Sequence, residues 1–334
     1  MKFRSRTMIA ALALTFAVPA SAQLLDGEQQ ATIAPIAGVV ARGAKWDRVW
    51  SSYMTADGMT AAPDGTLLFA QEQSDSVIRL QPDGKWWVAV PYVEGAGAVS
   101  VDAAGRMFAV ERTCTDPGLH RKQCAEPTRV TELVPEHKVL ASAFADGKPL
   151  GRLNDLQADG HGGAFFTQTG LYHVAADGTV SVVVDKVDSF TNGLQLSPDG
   201  KTLYVTDKDK ILAFDVAADG STSNRRVFVI LSHEGKGFGA DGLAADSAGR
   251  LYAAADAGVY VIDPSGKELG IIPTPRRAIT LAFAGPDKHT LYIGAMGAVG
   301  PDGKDWQTPK DVRNVAMTIY RVKMLAAGPA NKPK

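Results

Sequence analysis

Six short phrases recur along the 334-residue chain, beginning at Asp57, Gly97, Asn154, Asn192, Asp241 and Thr280. They read "DGMTAAPDGTLLFAQE", "GAVSVDAAGRMFAVER", "NDLQADGHGGAFFTQT", "NGLQLSPDGKTLYVTD", "DGLAADSAGRLYAAAD" and "TLAFAGPDKHTLYIGA". The chemistry sits in the first residue of each. If equivalent positions face one another, Asp57, Asn154, Asn192 and Asp241 bring two carboxylates and two carboxamide oxygens together, and none of the six positions holds a lysine or arginine. Converging carboxylates repel unless a cation or a proton compensates them. An all-oxygen set suits one hard divalent ion, calcium first, with magnesium, manganese and zinc as the other candidates. The same residue types also make Asx-turns at strand starts, and D-G and N-G pairs are common turn chemistry. Their shared register across the copies favours a site.

The elements that must position these residues are read from the rest of each phrase. A glycine follows the start by eight residues in five copies (Gly65, Gly105, Gly162, Gly200 and Gly249), and Lys288 takes that place in the sixth. Each phrase reads as strand, tight turn, strand. After the first, third and fifth copies, "SVIRLQPDGKWWVAV", "GLYHVAADGTVSVVV" and "GVYVIDPSGKELGII" supply a further strand pair. Four strands per period of about 40 residues is the pattern of a propeller blade, so the fold class is all-β, a six-bladed β-propeller with a central metal site. Thr32–Tyr53 and Met317–Met324 flank the copies and are expected to lend strands to the last blade, which removes exposed sheet edges.

The flanks bound the domain. Lys2, Arg4 and Arg6, the apolar run Met8–Val18 and Pro19-Ala20-Ser21-Ala22 form the pattern of a signal peptide over residues 1–22. This predicts an exported protein, periplasmic or secreted, with one mature domain over 23–324 and a disordered tail over 325–334. An oxidising compartment allows Cys114 and Cys124 to form a disulfide. Apolar residues make up 45% of the chain and the net charge is −1, so a core is affordable and neither nucleic acid nor a membrane span is indicated. The long interval between the second and third copies carries Arg112, His120, Arg121 and Lys122; it reads first as a solvated loop stapled for stability, with an insertion that overhangs the channel mouth and helps choose an anionic or hydroxylated substrate as the alternative.

No G-x-S-x-G elbow or H-E-x-x-H helix occurs, and the six histidines are scattered, which argues against a nucleophilic triad or a zincin site. The segment "GKGFG" at 235–239 lacks the strand and helix of a nucleotide fingerprint.

The phrases Arg152-Leu153-Asn154-Asp155, Thr191-Asn192-Gly193-Leu194 and Ala240-Asp241-Gly242-Leu243 resemble those of the gluconolactonase and regucalcin (senescence marker protein) family, over roughly Asp57 to Met324. The resemblance implies a six-bladed propeller with one divalent cation in its channel and hydrolysis of a sugar lactone. It implies Asn192 and Asp241 as metal ligands, Asp241 also as general base, Asn154 at the metal or the substrate, and Arg152 on substrate hydroxyls or carboxylate. Asp57 stands where the family usually has glutamate, one methylene longer. The chemistry implied is attack of water on a carbonyl polarised by the cation, with Asp241 taking the proton. A non-catalytic binding scaffold with a structural cation, or an esterase acting on other esters, are the alternatives.

Overall fold

The computed structural model describes residues 24–112, 127–185, 190–233, 237–300, 302–306 and 317–329. Residues 1–22, Cys114, Cys124, His120, Arg121 and Lys122 lie outside the described residues. Among those described, twenty-four strands form six four-stranded antiparallel sheets.

The strand β1 (Asp47–Ser52) precedes the first copy. The first blade is β2 (Asp57–Ala61), β3 (Leu67–Gln71), β4 (Ser76–Leu80) and β5 (Trp86–Pro91), paired in that order from the inside outwards. The second is β6 (Ala96–Val101), β7 (Met107–Glu111), β8 (Arg129–Val134) and β9 (Lys138–Ala141). The third is β10 (Leu156–Ala158), β11 (Ala164–Gln168), β12 (Gly170–Val174) and β13 (Val180–Val184). The fourth is β14 (Thr191–Leu196), β15 (Thr202–Asp207), β16 (Lys210–Val216) and β17 (Thr222–Ile230). The fifth is β18 (Leu243–Ala245), β19 (Leu251–Ala255), β20 (Gly258–Ile262) and β21 (Glu268–Ile272). The sixth takes β22 (Ala278–Ala284), β23 (Thr290–Met296) and β24 (Met317–Lys323) from the end of the chain and β1 from its beginning. Met317 pairs with Ser52 and Arg321 with Asp47, so this blade ties both ends of the chain together.

The sequence makes blades because its middle strands are apolar on both faces, as strands sandwiched between two sheets must be. Strands β3, β6, β7, β19 and β20 are buried along their whole length, whereas β5 and β17, at the outer edge, are mostly exposed. The core is six apolar clusters, each lying between adjacent blades; one packs Tyr252 and Val259 against Phe283 and Ile293, another packs Trp50 and Met317 against Phe69 and Ile78. The turn glycines Gly65, Gly105, Gly162, Gly200 and Gly249 all have φ between 71° and 102°, and Lys288 adopts the same left-handed conformation at 52°. The tail corrects the expectation of disorder over residues 325–329. Leu325 donates its N–H to the Val39 carbonyl, Gly328 donates to Lys288, and Ala326 is buried, because Phe283 offers an apolar seat beneath the sixth blade. No helix among the described residues is long and apolar enough to cross a membrane.

Candidate active site

Each inner strand neighbours the next around the axis, from β2 through β22 and back to β2. Five of the six first residues therefore gather at one end of the channel. Asp57 opens β2, Asn192 is the second residue of β14, and Asn154 and Asp241 stand two residues ahead of β10 and β18. Asn154 Nδ2 donates to Asn192 Oδ1 at 2.5 Å. The carbonyls of Asn192 and Asp241 are pinned from behind by the hydroxyls of Thr167 and Thr206, at 2.7 and 2.9 Å. The glycines after these residues serve space as well as turning: a Cβ on Gly193 would sit 2.3 Å from the Asp241 carbonyl oxygen. Thr280 takes no part at the mouth, since its Oγ1 accepts the Met59 N–H at 3.1 Å and the residue is buried.

The sixth position, Gly97, is filled by another residue. A Cβ there would lie 2.2 Å from Nε of Arg112, so the missing side chain is the space the guanidinium occupies. Arg112 follows β7 directly and is buried, so it is neither a solvated loop cation nor one overhanging the mouth. Its Nε donates to the Leu153 carbonyl at 3.0 Å and Nη1 to Glu72 Oε2 at 3.1 Å. Its Nη2 donates to the Asn154 carbonyl at 2.8 Å and to Asn154 Oδ1 at 3.1 Å, and lies 3.7 Å from Asp57 Oδ2. Burial alone would lower the proton affinity of this guanidinium, but the charges of Glu72 and Asp57 outweigh it and keep Arg112 firmly cationic. Glu72 sits on a buried 3-10 turn, Glu72–Ser74, at the end of β3.

Asp155 is a further carboxylate at the axis. It accepts the Leu156 N–H at 2.8 Å and lines the channel below the ring, with Thr60, Ser100, Gln157 and Gln195. Burial, and then the Asp57 charge, push its pKa up to about 7. Asp241 is held well above the usual carboxylate range by burial and by the charges of Asp57 and Asp155, with Arg277 the main group pulling the other way. Arg277 pairs with Asp256 at 2.6 Å and lies over the exposed ring of Phe238, 4.9 Å from its centroid. Arg152 is exposed, in the loop leading to β10. Among the described residues no three His, Cys, Asp or Glu side chains form a compact metal cluster.

The reading by register thus brings Asp57, Asn154, Asn192 and Asp241 together and misses Arg112, Asp155 and Arg277. The signal for Arg112 is Gly97 itself, a gap in a ring of side chains.

A six-bladed propeller whose axis carries carboxylates and carboxamides at one mouth defines the class. Residues 55–297 match the family described as SMP-30/Gluconolactonase/LRE-like region, and the chain belongs to that family. Pentonolactonase XacC of Haloferax volcanii is 33% identical over 190 residues, 53% of this chain and 64% of that protein. A gluconolactonase of Zymomonas mobilis is 30% identical over 135 residues, 38% of each chain. The matched stretches span less than two thirds of either relative. Among solved structures, a gluconolactonase of Xanthomonas campestris superposes with a TM-score of 0.65 at 21% identity, covering 92% of this chain and 99% of that one. A calcium-binding regucalcin of Agrobacterium tumefaciens superposes with a TM-score of 0.61 at 19% identity, covering 91% and 99%. At these identities the two likenesses speak to the fold.

Proposed function

We propose that the chain is an exported, divalent-metal-dependent hydrolase that opens a sugar lactone at the channel mouth. The observation that carries this reading is the crowding of Asp57, Asp155 and Asp241: burial and the Asp57 charge raise the proton affinity of Asp155, and burial with the Asp57 and Asp155 charges raises that of Asp241, although Arg112 and Arg277 stand nearby. Such a set gains most from a bound cation, and oxygen donors fit calcium or another hard divalent ion. By register, Asp57, Asn154, Asn192 and Asp241 are the candidate oxygen donors that would hold it. Once bound, the ion would supply Lewis-acid polarisation of a carbonyl and a more acidic water.

The chain's own groups account for the rest. Asp241 accepts a proton as the water oxygen adds to the lactone carbonyl carbon. The ring C–O bond then breaks, and Asp241 returns the proton to the departing ring oxygen, giving one hydroxy acid with no separate leaving group. On this reading Asn154 and Arg152 meet substrate hydroxyls, and Arg277, whose guanidinium lies over the Phe238 ring, contributes a positive charge near Asp241. The names of the pentonolactonase and gluconolactonase relatives support this substrate class.

The test is a substrate panel of sugar lactones, aryl esters and phosphotriesters, assayed by proton release after chelation and with each cation restored. Metal-dependent opening of sugar lactones above the spontaneous rate is expected. Turnover of aryl esters alone would make the chain an esterase, and no turnover by a chain that binds metal would make it a binding scaffold.

A further inference from the structure

Two of the four residues whose register marks them as metal ligands are already engaged by a cation of the protein's own. Arg112 reaches the axis through the space at Gly97, and its Nη2 faces both Asn154 Oδ1, at 3.1 Å, and Asp57 Oδ2, at 3.7 Å. The other Asp57 oxygen, Oδ1, accepts the Gly58 N–H at 2.8 Å. With its carbonyl oxygen taken by the guanidinium, the Asn154 carboxamide turns its N–H2 towards the channel, where it donates to Asn192 Oδ1. A donor cannot ligate a cation. The described hydrogen bonds and ion pairs of Arg112 go to Leu153, Glu72, Asn154 and Asp57.

From this we infer that Arg112 is a resident counter-cation that withdraws Asp57 and Asn154 from the metal's ligand set, leaving Asn192 and Asp241 as the ligands and Asn154 as a donor towards Asn192 or substrate. The inference rests on the metal-dependent reading above and narrows it. It also gives a physical sense to aspartate at position 57: the shorter side chain leaves room at the axis for a guanidinium. Arg112 is a positioning residue, acting through Asp57 and Asn154.

The experiment is calorimetric titration of Ca2+ and Mn2+ into the chelated full chain, with unfolding curves to establish that each variant is folded. Asp57→Asn is expected to change the dissociation constant by less than about threefold, and Asp241→Asn to weaken it by about 100-fold or more, as loss of a coordinating carboxylate does. A second background removes the guanidinium while keeping the buried charge balanced: Glu72→Gln with Arg112→Met. There Asp57 is released, divalent affinity rises by about tenfold, and adding Asp57→Asn cancels the gain, a coupling that a purely structural arginine would not produce. Binding that Asp57→Asn weakens as much as Asp241→Asn overturns the assignment and leaves the metal-dependent reading standing. A chain that binds no divalent cation overturns that reading and the assignment with it.

Discussion

Arg112 shows how one side chain can decide the character of a ring that its neighbours define. It is buried between three blades and satisfies Glu72, Leu153 and Asn154 at once. Removing one partner of a buried pair leaves the other charged and desolvated, so Arg112→Ala should destabilise the chain by about 3–5 kcal/mol in urea unfolding. Arg112→Lys should recover little of this, because an ammonium cannot reproduce the planar fork. Asn192 and Asp241 were legible in the sequence because residue type and register are both written there. Arg112 was not, since it lies 15 residues beyond the gap it fills, just past the end of a different strand. Asp155 was hidden for another reason: it and Asn154 precede β10, where the alternation of strand faces does not yet apply.

The blade is the unit at the next scale, and its turns were the most readable part. The glycine eight residues into each copy has positive φ in the five copies that have one, and Lys288 holds the same conformation with Nζ bonded to the Pro329 carbonyl at 2.7 Å. These turns differ in their surroundings. At Gly249 the nearest atom to an added Cβ is 3.5 Å away, whereas at Gly65 the Gly285 carbonyl oxygen of the sixth blade stands at 2.5 Å. Gly249→Ala should therefore cost about 1–2 kcal/mol of backbone strain alone, and Gly65→Ala clearly more, as measured by urea midpoints. The turn of the third blade carries a pH signature. His173, in β12, is buried and bonds Asp159 at 2.8 Å, a partnership the scattered histidines gave no hint of. Burial would raise the Asp159 pKa, but the His173 hydrogen bond and the N–H groups of His161 and Gly163 outweigh it and hold the carboxyl below its ordinary 3.8. A depressed acid stabilises the fold above its unfolded pKa, and that stability is lost as pH falls through the folded value. Asp159→Asn should thus lose about 1–3 kcal/mol near neutral pH, with the difference from the parent chain shrinking below about pH 3.

At the scale of the whole molecule, six copies of one phrase specify six sheets, and the strand order closes them into a ring through β1 and β24. What the repeat could not convey is the closure beneath the ring, because the tail belongs to no copy. Residues 325–329 pack there, with Pro329 among the residues lining the lower channel. On the proposed reading, residues that vary at the start of each copy form a hydrolytic site in which Asp241 moves the proton. The most direct measurement is the initial rate of proton release from the best sugar lactone of the panel, with the divalent cation saturating, for the parent chain and for Asp241→Asn. The account predicts that a folded Asp241→Asn chain loses about 100-fold or more of the catalysed rate. A folded, saturated Asp241→Asn chain that opens the lactone at the parent rate would contradict it.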